Sequence, residues 1–96
     1  MKFRKHSKVY KLKRVSKRRF DQIKIPKAFL RHPPRSEKIQ AKINNFKLHF
    51  HKLSPIIVSE DYILMDGYCA YLIARGYNYR GLRLKIYMAK EIGRDK

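Results

Sequence analysis

An α+β fold is predicted for this chain, with two main helices and a basic N-terminal arm, and three observations carry that reading. In PIIVSEDYILMDG two apolar runs flank a polar turn, as in a β-hairpin. In SEKIQAKINNFKLHFHK the apolar residues recur at helical intervals. Residues 1–19 carry ten Lys/Arg and no Asp or Glu, which sets them apart from the rest of the chain. The 96 residues suffice for one small domain, of a size that buries roughly 60 to 65% of its unfolded surface. Two units follow: a basic arm, 1–19, disordered or forming an edge strand, and a single folded domain, 20–96.

Within the arm, Val9, Tyr10, Leu12 and Val15 are apolar enough for a short edge strand, formed on binding. In residues 20–25, FDQIKI, the residues Phe20, Gln22 and Lys24 alternate with Asp21, Ile23 and Ile25, which reads as a strand ended by Pro26. The Pro33-Pro34 pair rules out a continuous helix through KAFLRHPPR, and Ser36 is placed to cap the helix that follows. That helix shows Ile39, Ile43, Phe46 and Phe50 at intervals of four, three and four, with Lys38, Lys42 and Lys47 largely on other faces. The hairpin strands are residues 56–58 and 62–65, separated by Ser59, Glu60 and Asp61. Asp66 is placed to cap a second helix over residues 67–75, and Gly76 to end it in the left-handed conformation. Leu82, Leu84 and Ile86 alternate with Arg83, Lys85 and Tyr87 as a closing strand, after which the tail, 89–96, frays.

The charge is the strongest functional signal. Lys and Arg number 25 against 7 acidic residues, for a formal charge of +18 and an isoelectric point near 10.4. An anionic partner is expected, because phosphates neutralised by Lys/Arg release counterions and give affinity without sequence readout. The candidate nucleic-acid contacts in the arm are Lys2, Arg4, Lys5, Lys8, Lys11, Lys13, Arg14, Lys17, Arg18 and Arg19. A second group, Arg75, Tyr77, Tyr79, Arg80 and Arg83, interleaves cations with tyrosines suited to base stacking. Of the tyrosines, Tyr71 or Tyr87 is expected in the core, and Tyr77 and Tyr79 in an exposed loop. No apolar run approaches the roughly 20 residues of a spanning helix. The basic N-terminus lacks the apolar stretch of a signal peptide. A lone cysteine cannot form an internal disulfide, which makes the cytoplasm the expected compartment.

The succession of strand, Pro-containing loop, helix and then PIIVSEDYILMDGYCAYLIARGYNYRGLRLKIYM resembles the ParB/sulfiredoxin-like superfamily over about residues 20–88. The resemblance implies a small mixed sheet. It also implies a phosphate-binding turn at Asp66, Gly67, Tyr68 and Cys69, where glycine admits the anion close to the backbone and the first helical N–H groups face it. The family's arginine in that turn falls on Ala70, leaving Arg75, Arg31 or Arg35 to supply the cation. The reactive cysteine of sulfiredoxins falls on Tyr68. Cys69, one residue on, is rotated by about 100° and reads as a buried structural residue beside Leu72 and Ile73, so sulfiredoxin activity is not expected.

Other chemistry is thinly supported. His32, His49 and His51 lack the spacing of a metal site, since His-x-His on a helix diverges by about 200°. Glu60 and Asp61 sit at the far end of a strand from Asp66, roughly 13 Å away by strand rise. Neither a cofactor nor a metal is expected. The leading expectation is a non-enzymatic nucleic-acid-binding protein of a bacterial or phage mobile element, a setting implied by the resemblance and by a Lys-, Ile-, Asn- and Tyr-rich composition. One alternative is a phage-encoded inhibitor of a host nuclease or ribonucleoprotein, and another an ATP- or CTP-dependent ParB-like enzyme or switch. Oligomeric state, and DNA against RNA, stay open.

Overall fold

A computed structural model describes residues 2–48, 53–76 and 84–94. The fold is α+β, a curled, mixed five-stranded sheet with two main helices. The strands are β1 (Lys2–Lys5), β2 (Lys8–Val15), β3 (Ile56–Val58), β4 (Leu64–Asp66) and β5 (Ile86–Arg94), arranged in the order β1-β2-β5-β3-β4. All neighbours are antiparallel except β3 and β5, which run parallel. A short helix α1 (Lys27–Arg31) precedes the main helices α2 (Ser36–Leu48) and α3 (Tyr68–Gly76).

The segment read as a basic arm is built into the sheet. β1 and β2 form a hairpin, and β2 lies between β1 and β5 as an interior strand rather than at an edge. Its turn is His6-Ser7, with φ of 52° and 63°. Two-residue hairpin turns need such positive angles and ordinarily use Asn-Gly, so the sequence carries no turn signal here. Residues 89–94 of the tail do not fray either, because β5 runs to Arg94 and pairs with β2 from Lys8 to Val15.

Residues 20–25 do not form the expected strand. A 3-10 helix spans Lys17–Gln22, with the Ser16 Oγ accepting from the Arg18 N–H at 3.3 Å. It buries Phe20 against Tyr71 with ring centroids 5.1 Å apart. Lys24 alone bridges to the sheet, its N–H donating to Tyr62 O and its carbonyl accepting from Leu64 N, both at 2.8 Å. The apparent alternation marked one buried turn and one bridge. α1 starts after Pro26, whose carbonyl accepts from Phe29 and Leu30, and stops before the Pro33-Pro34 pair, as the restricted backbone ahead of proline requires.

The helix starts differ from expectation by a residue. Ser36 is the first helical residue of α2, and the carbonyl of Arg35 accepts from Ile39 N at 3.1 Å. Asp66 closes β4 opposite Ile57, and it is Gly67 whose carbonyl accepts the first α3 bond, from Tyr71 N at 2.9 Å. Gly67 has a φ of 87°, and an added Cβ would sit 2.6 Å from Pro55 O, so only glycine fits. Gly76 is the last residue of α3 and does not take the left-handed conformation.

The expected hairpin of β3 and β4 is present. Ser59 organises its turn: its carbonyl accepts from Tyr62 N, and its Oγ accepts from Asp61 N and Ile63 N at 3.2 and 3.1 Å. Tyr62 takes the left-handed position at φ 62°. The core lies where α3 and the 3-10 helix meet β3, β4 and the start of β5. Ile56, Val58, Leu64 and Ile86 are fully enclosed there, with Ala70, Tyr71, Ile73, Ala74, Phe20 and Ile23 around them. Burying each such aliphatic side chain stabilises the fold by about 1.5–3 kcal/mol.

Candidate nucleic-acid interface and phosphate cleft

Residues directly opposite each other in a sheet share a face, and along a strand the faces alternate. Lys2 stands opposite Lys11, and Lys11 opposite Lys90, so three lysines form one row across β1, β2 and β5. Arg4 and Lys13 lie two residues along their strands on the same face. All five are exposed. Adjacent strands are about 4.8 Å apart and alternate residues about 7 Å, so these positions form a compact lattice of positive charge. Glu60, from the β3–β4 turn, joins Lys11, Lys13, Met88 and Lys90 around a groove of about 500 Å³.

The remaining cations of residues 1–19 do not all join this face. Lys5 projects from the other face, donates to Met65 O and lies 5.4 Å from the centre of the Phe29 ring. Lys8 pairs with Glu91 at 3.9 Å, and the Arg14 guanidinium lies 5.7 Å from the Tyr87 ring centre. Lys17, Arg18 and Arg19 belong to the 3-10 helix. Arg75 is exposed at the end of α3. Tyr77, Tyr79, Arg80 and Arg83 lie outside the described residues, as do His49 and His51.

The structure places Asp66, Gly67, Tyr68 and Cys69 together on the wall of a cleft of about 510 Å³ at the N-terminal end of α3. Lys38 and Lys42, one turn apart on α2, line the same cleft with His32 and Phe29. These lysines, rather than Arg31, Arg35 or Arg75, bring positive charge to the cleft wall, while Asp66 opposes it. Tyr68 packs against Phe29 with centroids 5.3 Å apart. Cys69 is a free thiol, half-buried on the cleft wall, whereas the buried face of α3 is Ala70, Tyr71, Ile73 and Ala74. The expectation of a buried Cys69 came from starting the helical face one residue early.

Sequence reasoning missed Lys90, hidden in a tail expected to fray, and the partnership of Lys38 and Lys42 with the Gly67 turn. The first had a signal, since Ile86, Met88 and Lys90 continue the alternation of the closing strand. The second depends on how α2 crosses α3. Among the described residues, no group of three His, Cys, Asp or Glu is placed to hold a metal ion, and no helix is long and apolar enough to cross a membrane. No protein-family model, curated protein or solved structure matches the chain.

Proposed function

We propose that the protein is a non-enzymatic nucleic-acid-binding protein whose contact surface is the cationic sheet face. The in-register row Lys2, Lys11 and Lys90, flanked by Arg4 and Lys13, carries this reading. Like charges directly opposite each other in a sheet are destabilising, each such pair by roughly 0.2–1 kcal/mol. In the isolated chain the row is a cost, and a polyanion laid across it turns that cost into affinity. The sheet also removes the ordering entropy that a disordered arm would lose on binding. The test is binding of the full chain to nucleic acid over a salt series, against Lys11→Gln and Lys90→Gln. Each substitution is expected to reduce the salt slope by about one; unchanged slopes would rule out this face.

A second reading concerns the cleft. Lys38 and Lys42 opposite the Gly67 turn favour a phosphate-bearing nucleotide there, held by the first α3 N–H groups and the two ammonium groups. Heat-stabilisation by ATP or CTP with Mg²⁺, lost in Lys38→Gln/Lys42→Gln, would support it. Gly67 is unsuitable as the probe, since any side chain there collides with Pro55 O.

A further inference from the structure

Resting on the nucleic-acid reading, we infer that the ligand of the cationic face is the paired backbone of a duplex, gripped through phosphates and not through bases. The observation is that the aromatic side chains of the β1–β2 hairpin and β5 are confined to one face, which they share with Lys5, Lys8 and Arg14, while the lysine row occupies the other. Phe3 stands opposite Tyr10, Leu12 opposite Ala89, and Arg14 opposite Tyr87. All of these lie on the face turned away from the lysine row. Phe3 and Tyr10 pack together with centroids 6.0 Å apart, and Tyr87 is covered by Arg14. Among the described residues of β1, β2 and β5, the face with Lys2, Arg4, Lys11, Lys13 and Lys90 carries no aromatic side chain; its apolar members on these strands are Val9, Val15, Ile86 and Met88.

That segregation decides between two ways of holding nucleic acid. Proteins that select single strands stack unpaired bases on aromatic side chains set in a basic groove. This face has no aromatic ring on which an unpaired base can stack, and four of its five cations are lysines, which act chiefly as point charges, Arg4 alone carrying a planar fork. What remains is counterion release, which is greater for the denser charge of a duplex: about 0.9 ions per phosphate contact against about 0.7 for a single strand. Five contacts at 0.1 M salt convert that difference into about a tenfold preference for the duplex. The row is also wide enough for two backbones. From β1 to β5 it spans about 10 Å between Cα atoms, comparable with the groove widths of about 6 and 12 Å that separate the paired strands of B-DNA.

The other described tyrosines do not alter this, Tyr62 being packed against the core. Tyr71 is buried on Phe20 and Tyr68 packs on Phe29. The contribution of Tyr77 and Tyr79 is removed by substitution in the test.

The experiment is polarisation binding of the full chain, and of its Tyr77→Ala/Tyr79→Ala variant, at several salt concentrations. The probes are a 20-base-pair DNA duplex, the RNA duplex of the same sequence, the single strand of each, and a duplex of unrelated sequence. The expected result, in both chains, is a duplex preference of about tenfold at 0.1 M salt and equal affinity for the two sequences. Whichever duplex is held more tightly identifies the source of the shared phosphodiester chemistry. Equal or tighter binding of single strands, or discrimination between the two duplex sequences, overturns this inference and leaves the nucleic-acid reading standing. Absence of binding to every probe overturns both.

Discussion

The same face of the central sheet has opposite character at its two ends. Near β3 it presents Ile56, Val58 and Ile86, enclosed beneath α3; toward the hairpin it presents Lys2, Lys11 and Lys90, all exposed. The backbone pairing is continuous from one end to the other, since β5 contributes Ile86 to the first and Lys90 to the second. Stability is concentrated at the apolar end and charge at the hairpin end. Substitutions at the two ends should therefore have opposite signatures, with loss of stability at the first and loss of binding alone at the second.

The sharpest way to break the comparison is to remove the hairpin. Deleting residues 1–15 strips an interior strand from β5 and takes away Val15, which packs on the core. Loss of cooperative unfolding is expected, seen as a broad or absent transition in urea. A shortened chain that still melts sharply would show that the two ends fold independently. The same result explains why truncation cannot measure the contribution of the basic segment to binding.

At the apolar end, Phe20→Ala should destabilise by about 3–5 kcal/mol, because Phe20 is buried and stacked on Tyr71. Urea denaturation reads this directly, and a loss below about 1 kcal/mol would mean that the 3-10 segment is peripheral to the core. Gly67→Ala is next, at about 1–3 kcal/mol from its backbone angle alone, with the approach to Pro55 O adding to it. An unchanged midpoint would contradict the close passage of β3 behind this turn.

At the hairpin end the sign reverses. Lys11→Gln relieves a like-charge neighbour on either side, and a gain in stability of a few tenths of a kcal/mol is expected at low salt, shrinking as salt screens it. Smaller again is Glu60→Gln. It removes the carboxylate that borders the lysine groove, and duplex affinity should rise slightly at low salt without a change in melting temperature.

The sequence makes the apolar end legible and the hairpin end largely illegible. The β3–β4 hairpin, α2 and α3 announce themselves through apolar periodicity, because a buried face must repeat with the period of its element. The β1–β2 hairpin lacks that signal: lysines occupy the face that would otherwise be apolar, and His6-Ser7 stands where a turn would ordinarily show Asn-Gly. Composition therefore points to an arm that is disordered or an edge strand, while its sheet partner β5 lies far along the chain and only its start, to Met88, reads as a strand. The candidate site divides in the same manner. Gly67 and its neighbours were legible as a tight turn into a helix, but Lys38 and Lys42 join the same cleft only through the packing of α2. The row of Lys2, Lys11 and Lys90 exists only in the register of three strands.

The central claim is that this row is the contact surface for nucleic acid, and one paired measurement tests it. Lys2→Gln/Lys11→Gln/Lys90→Gln should be compared with a charge-matched control, Lys27→Gln/Arg31→Gln/Arg35→Gln, whose exposed cations lie on α1 and its following loop. Duplex affinity and melting temperature are read for both. The row variant is expected to lose roughly 500-fold in affinity at 0.1 M salt, with its salt slope lowered by about three, while melting at or above the unsubstituted chain. The control should lose far less. Equal losses in the two variants would mean that total charge, not the row, governs binding, and the proposed interface would be wrong.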